Sequence, residues 1–173
     1  MANVHVDPTP CTKIHDGDEN RFSETENYHQ ACDAIESELD LCVRKPLHIA
    51  AERGDLGIVE VLLSHGASAD IDATTYAGCT ALHLAAGLGH CDIVRALTSA
   101  GATLDTKGEH DLTPLLAAAQ HGHSKVVLTL LKAGADVNLS AEGDVTALHL
   151  ASAEGHDHTV IALCGEKHPH SLE

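Results

Sequence analysis

The chain of 173 residues has almost no aromatic side chains: Phe22, Tyr28 and Tyr76 are the full set, with no Trp. A core without rings has to be filled by Leu, Val, Ile and Ala. Such small, repetitive side chains suit closely stacked helices better than one bulky centre. The sequence also lacks any run of 18 or more apolar residues, so no membrane-spanning segment is expected. The start, Met1 to Gly17, has no apolar stretch of the length a secretory signal needs. The six cysteines, at positions 11, 32, 42, 79, 91 and 164, contain no C-x-x-C pair. They read as reduced thiols of a cytoplasmic or nuclear protein, with Cys79, Cys91 and Cys164 as small core fillers.

Positive charge is scarce. Ten Lys and Arg face 26 Asp and Glu, a formal net charge of −16. Residues 1–44 hold ten acids and three bases, and the remainder is acidic too. Such a surface repels phosphate backbones and anionic lipid, which argues against nucleic acid and membrane partners. A partner protein with a basic or apolar surface fits better.

What the sequence does have is repetition. Four segments align: K-P-L-H-I-A-A-E-R-G-D from Lys45, T-A-L-H-L-A-A-G-L-G-H from Thr80, T-P-L-L-A-A-A-Q-H-G-H from Thr113 and T-A-L-H-L-A-S-A-E-G-H from Thr146. Leu47, Leu82, Leu115 and Leu148 mark steps of 35, 33 and 33 residues. Gly54, Gly89, Gly122 and Gly155 keep the same steps, as do Gly66, Gly101 and Gly134 for as far as they run.

The motifs and the 33-residue period resemble the ankyrin repeat, over roughly residues 41–165. The resemblance implies an all-α solenoid with short β-hairpins. Each unit is a turn and two antiparallel helices, and four units are expected, at about 41–73, 74–107, 108–140 and 141–165. Thr80, Thr113 and Thr146 stand where they can cap the first helices. Pro46 and Pro114 fall at first helical positions, and the second glycine series stops the second helices. Ile58, Val59, Val61, Leu62 and Leu63 recur at helical spacing, as do Ile93, Val94 and Leu97, and Val126, Val127, Leu130 and Leu131. A unit cannot bury both apolar faces alone, so stability has to come from stacking.

The ends and the departures carry further expectations. Ser23-Glu24-Thr25-Glu26 reads as a capping box. It opens a helix from about Glu24 to Asp40 that would cover the first unit, behind a disordered acidic stretch over 1–22. The last helix should run from about His158 to Cys164, ahead of a polar tail over 166–173. Whether that end is a true cap or a truncation stays open. Lys45 replaces the Thr cap in the first unit, and Leu116 replaces the His in the third. Two extra residues separate the first two units, and the spacing puts them among Ile71 to Ala77, where they would lengthen a hairpin.

Fifteen histidines invite a metal or catalytic reading. His48, His83 and His149 occupy the T-x-L-H position, where the resemblance implies a bond to the cap and nearby backbone. His90, His123 and His156 follow the inter-helix glycine, another structural position. The densest remaining group is His156, His158, Cys164, His168 and His170, good zinc donors at a spacing that matches no structural zinc pattern. With no nucleophile elbow, phosphate loop or paired-carboxylate motif, neither an enzyme nor a cofactor is expected.

In the ankyrin family, function lives on hairpin tips and the ends of the first helices. That implies a partner-binding set of Glu52, Arg53, Tyr76, Ala77, Cys79, Leu88, Glu109, His110, Leu112, Gln120, His121, Glu142, Val145 and Glu154. Tyr76, Leu88 and Leu112 would be the anchors, while Glu109, Asp111, Glu142 and Asp144 would steer a basic partner. The expected activity is that of a monomeric adaptor, scaffold or inhibitor. A metal-responsive protein and a fragment of a larger ankyrin protein are the alternatives. Leu130, Asp136, Val137 and Asn138 also resemble the stretch an asparaginyl hydroxylase accepts, making Asn138 a modification candidate, with Asp70 and Asp105 at the equivalent positions elsewhere.

Overall fold

A computed structural model describes residues 44–66 and 70–165. The predicted helix over 24–40, the stretch 1–22 and the tail 166–173 lie outside the described residues. Within them, eight α-helices alternate in two layers. The inner layer holds α1 (Pro46–Arg53), α3 (Ala81–Gly87), α5 (Pro114–Gln120) and α7 (Ala147–Ala153). The outer layer holds α2 (Leu56–Ser64), α4 (Cys91–Ser99), α6 (Ser124–Ala133) and α8 (Asp157–Gly165). Each helix packs on its partner within the unit and on its counterpart in the next. This is the expected solenoid, with α8 starting one residue earlier than its spacing suggests. One hairpin has paired strands, β1 (Ser140–Ala141) and β2 (Val145–Thr146), antiparallel with Ser140 opposite Thr146 and Ala141 opposite Val145. Among the described residues no helix is long and apolar enough to cross a membrane.

The core consists of the small residues the composition demands. Ala51, Ala85, Ala86, Ala118, Ala119 and Ala151 have no exposed surface and let the inner helices approach closely. Leu47, Leu82 and Leu115 are at most 2% exposed, whereas their counterpart Leu148 is 43% exposed. The difference is positional: each marker leucine is covered by the unit that follows. His149 is exposed for the same reason, where His48 and His83 are buried.

The helix starts divide by the residue three places after the cap. In the second unit the backbone N–H of Thr80 donates to Nδ1 of His83 (3.1 Å), and the Thr80 hydroxyl reaches the same nitrogen (2.9 Å). Thr146 and His149 repeat the arrangement. In the third unit Leu116 has no ring nitrogen to offer, and Thr113 caps directly, its Oγ1 accepting from the Leu116 N–H at 3.3 Å. In the first unit Lys45 has no side-chain acceptor, yet its N–H still donates to His48 Nδ1 at 3.0 Å. The cap weakened by Lys45 therefore keeps half of its bonding.

The two extra residues sit elsewhere than their spacing suggested. Asp72 accepts from the Thr103 N–H (2.8 Å) and hydroxyl (2.6 Å), and Asp105 accepts from the Asp136 N–H (3.1 Å). These rungs, one hairpin to the next, put Asp72 and Asp105 33 residues apart and in register with Asn138. Buried Ile71 likewise matches Leu104 and Val137. The step of 35 between Gly66 and Gly101 is thus absorbed between Gly66 and Asp70, at the exit of α2. The hairpin bearing Tyr76 is of ordinary length, and the counterpart of Asn138 in that hairpin is Asp72, not Asp70.

Candidate functional site

The units are joined by a repeated contact. The Nε2–H of His90 donates to the Glu52 carbonyl (3.2 Å), that of His123 to Gly87 (3.0 Å) and that of His156 to Gln120 (3.0 Å). Each ring lies against the inter-helix glycine of the preceding unit. A Cβ added at Gly54, Gly89 or Gly122 would come within 2.8, 2.7 or 2.6 Å of the ring of His90, His123 or His156. The G-H pairs were visible in the sequence as turn residues, but their role as joints was not. The available signal was that the first unit carries Asp55 in place of His, and no described unit precedes it.

The T-x-L-H histidines form a second set of joints, from inner helix to hairpin. His48 Nε2–H donates to the Ala73 carbonyl at 2.8 Å, and His83 Nε2–H to Leu112 at 3.1 Å. Because Nδ1 of His83 accepts from the cap, the ring is held as the neutral Nε2–H tautomer. Burial holds its pKa below the ordinary histidine value, against the opposing pull of the Leu112 and Thr106 carbonyls.

These roles occupy histidines that might otherwise suggest chemistry. His156 spends its Nε2 on Gln120. His158 is exposed, as is Cys164, which is therefore not the core filler expected, and His168 and His170 lie outside the described residues. Among the described residues no three His, Cys, Asp or Glu side chains converge as a metal site would require.

The partner-binding set from the sequence sorts by exposure into two kinds. Tyr76 (65% exposed) and Leu88 (51%) are large, apolar and open to solvent. Arg53, Glu109, His110, His121, Glu142 and Glu154 are exposed as well. Cys79, Leu112 and Val145, one per hairpin at the same position, are half-buried. Leu112 packs on the core, so this residue is a hairpin support and offers a partner only an edge. Ala77, Glu52 and Gln120 are also half-buried. The Glu52 carboxylate is held by Arg44 at 2.6 Å.

The hairpin tips of the third and fourth units are tightly turned and acidic. His110, Asp111 and Asp144 adopt φ of 55°, 59° and 58°. His110 lies between two carboxylates, 3.6 Å from Glu109 and 3.4 Å from Glu142, and so links neighbouring tips. Asp111 pairs with Lys107 at 3.0 Å. Asn138 is exposed, its N–H and Nδ2 both donating to Asp136 Oδ1 (2.9 and 3.1 Å).

A family model described as ankyrin repeats matches residues 25–108 and 103–171. This chain is a member of the ankyrin-repeat family. Among curated proteins, the chain is 40% identical over 73 residues to a B-cell lymphoma 3 protein homolog of Mus musculus. The match covers 42% of this chain and 16% of that relative, so the chain corresponds to a small part of it. The ankyrin fold is a protein-interaction fold, and this chain accordingly has the architecture of a protein-binding module.

Proposed function

We propose that the chain acts without catalysis, as an adaptor, scaffold or inhibitor of the cytoplasm or nucleus. It would hold a partner protein on the hairpin tips and the adjoining free side of the inner helices. One observation carries this reading: Tyr76 and Leu88 are large apolar side chains, 65% and 51% exposed, on one unit of that side. Exposed apolar and aromatic groups dominate interface energy when a partner desolvates them. Further along the stack, on the third and fourth units, stand Glu109, Glu142 and Glu154, whose charges would raise the association rate of a partner with basic groups.

The test compares wild type with a Tyr76→Ala, Leu88→Ala double variant in capture from native lysate, with circular dichroism confirming the fold. Leu112 is left intact because its half-buried side chain supports the hairpin. A partner held by the wild type and lost by the variant supports the reading. A partner retained by both moves the contact off this side of the solenoid.

A further inference from the structure

The side of the inner helices turned away from the outer layer is not chemically uniform along the stack. Ile49, Leu84, Ala117 and Leu150 form one row, a single position per unit, apolar in all four. Ile49 is 39% exposed and the other three are half-buried. Four residues further on, hence on the same helix face, stand Arg53, Leu88, His121 and Glu154, all exposed. This second row runs from a cation through an apolar group and an imidazole to an anion.

The flanking residues follow the same order. The first unit adds Lys45, exposed, and Arg44, held on Glu52. The second presents Tyr76, Ala77, Gly87 and Leu88, with no charge among them. The third and fourth present Glu109, Asp111, Glu142, Asp144 and Glu154, all exposed. The cation among them, Lys107, is already paired with Asp111.

We propose that this surface is directional. It takes one partner segment with three consecutive parts: an acidic end over the first unit, an apolar centre on Tyr76 and Leu88, and a basic end over the third and fourth. The inference rests on the interaction reading above and specifies the partner it would take.

Charge complementarity decides between occupants. A uniformly basic segment meets Arg53 and Lys45 at one end, and a uniformly acidic one meets five carboxylates at the other, of which Asp111 alone is paired with a lysine among the described residues. Only a segment with its charges in blocks satisfies both. Packed helices lie about 8–10 Å apart, so the first and fourth units are separated by roughly 25–30 Å. That exceeds the Debye length of about 8 Å at physiological salt, and each end is therefore read independently. A helix of about 20 residues spans the distance.

The probes are two synthetic peptides of about 20 residues and identical composition. One carries Glu, apolar and Lys residues in three blocks; the other distributes the same residues evenly. Each bears a nitroxide at one end, the Lys end in the block peptide. Affinity is read by fluorescence anisotropy, and orientation by broadening of amide resonances in the full chain.

The block peptide is expected to bind at least tenfold tighter. Its nitroxide is expected to broaden Glu142, Asp144 and Glu154 while sparing Arg53. Arg53→Glu, an exposed substitution, should reduce that preference several-fold. A block peptide that binds no better than the even one, or not at all, overturns the proposal, as does broadening at both ends. If the Tyr76→Ala, Leu88→Ala variant still loses its native partner, directionality alone has failed. If it keeps that partner, the interaction reading has failed with it.

Discussion

The imidazole of His123 lies so close over Gly89 that a Cβ there would stand 2.7 Å from Nδ1. Gly89 also has φ of 79°, in the left-handed region. An alanine would meet both obstacles: about 1–2 kcal/mol for the backbone and about 1–3 kcal/mol for the overpacking. Gly155 has nearly the same φ, 72°, but no described atom lies within 4 Å of its added Cβ. Gly89→Ala should therefore lower stability by roughly 2–5 kcal/mol, and Gly155→Ala by about 1–2 kcal/mol. Urea denaturation of the two variants checks the difference; equal losses would show that the ring contact adds nothing.

Acidification should loosen the second joint through His83. Its pKa is lowered in the folded state, mainly by burial, so the unfolded chain binds the proton more readily. Stability then rises with pH wherever the two states differ in protonation. The contribution of His83 is intact above about 6.5, its unfolded value, and is lost as pH falls from there through the lowered folded value. Leu116 stands at the same position in the third unit with a direct Thr113 cap. A His83→Leu variant should accordingly unfold with a shallower pH dependence below about 6.5. An unchanged slope in thermal melts would assign the acid sensitivity to other groups.

Leu88 and Leu112 should separate binding from stability. Leu88 is exposed, and Leu88→Ala should change stability by less than about 0.5 kcal/mol while weakening capture of a partner. Leu112 packs on the core, and Leu112→Ala should cost about 2 kcal/mol, the low end for a buried leucine because it is half-exposed. Chemical denaturation of both variants, run beside the capture assay, measures the two effects.

The hairpin rung of Asp72 should be weaker than the histidine joints, since it is exposed to water. Asp72→Ala removes two bonds to Thr103, both to a charged acceptor. A loss of about 1.5 kcal/mol is expected, the low end for bonds to a charged group, because water competes at this exposed rung. Faster amide hydrogen exchange at Thr103 in the variant would report the broken rung directly.

Most of the fold was legible because the ankyrin register is written several times over. Leu47, Leu82, Leu115 and Leu148, and two series of glycines, each report the same step independently. What stayed hidden was relational. Leu112 reads as an exposed hairpin residue until its contact with the core is seen. The placement of the two extra residues was ambiguous because the glycines before them and the hairpin after them were both in register. Only the bonds of Asp72 and Asp105 to the next hairpin fix where the register jumps. His90, His123 and His156 read correctly as structural, but which carbonyl each would reach depends on neighbouring units that a single repeat does not display. Within the proposed binding set, exposure separated Tyr76 and Leu88 from Cys79 and Val145, which sequence position alone had grouped together.

The two-residue jump in register between Gly66 and Asp70 makes the stretch after α2 the natural place to graft foreign sequence. Lengthening there already occurs without displacing Ile71, Asp72 or any histidine beyond them. A peptide reporter or an affinity handle inserted between those two positions would leave the stack aligned. The same insertion between Gly89 and His90 would pull a ring off its glycine and separate two units.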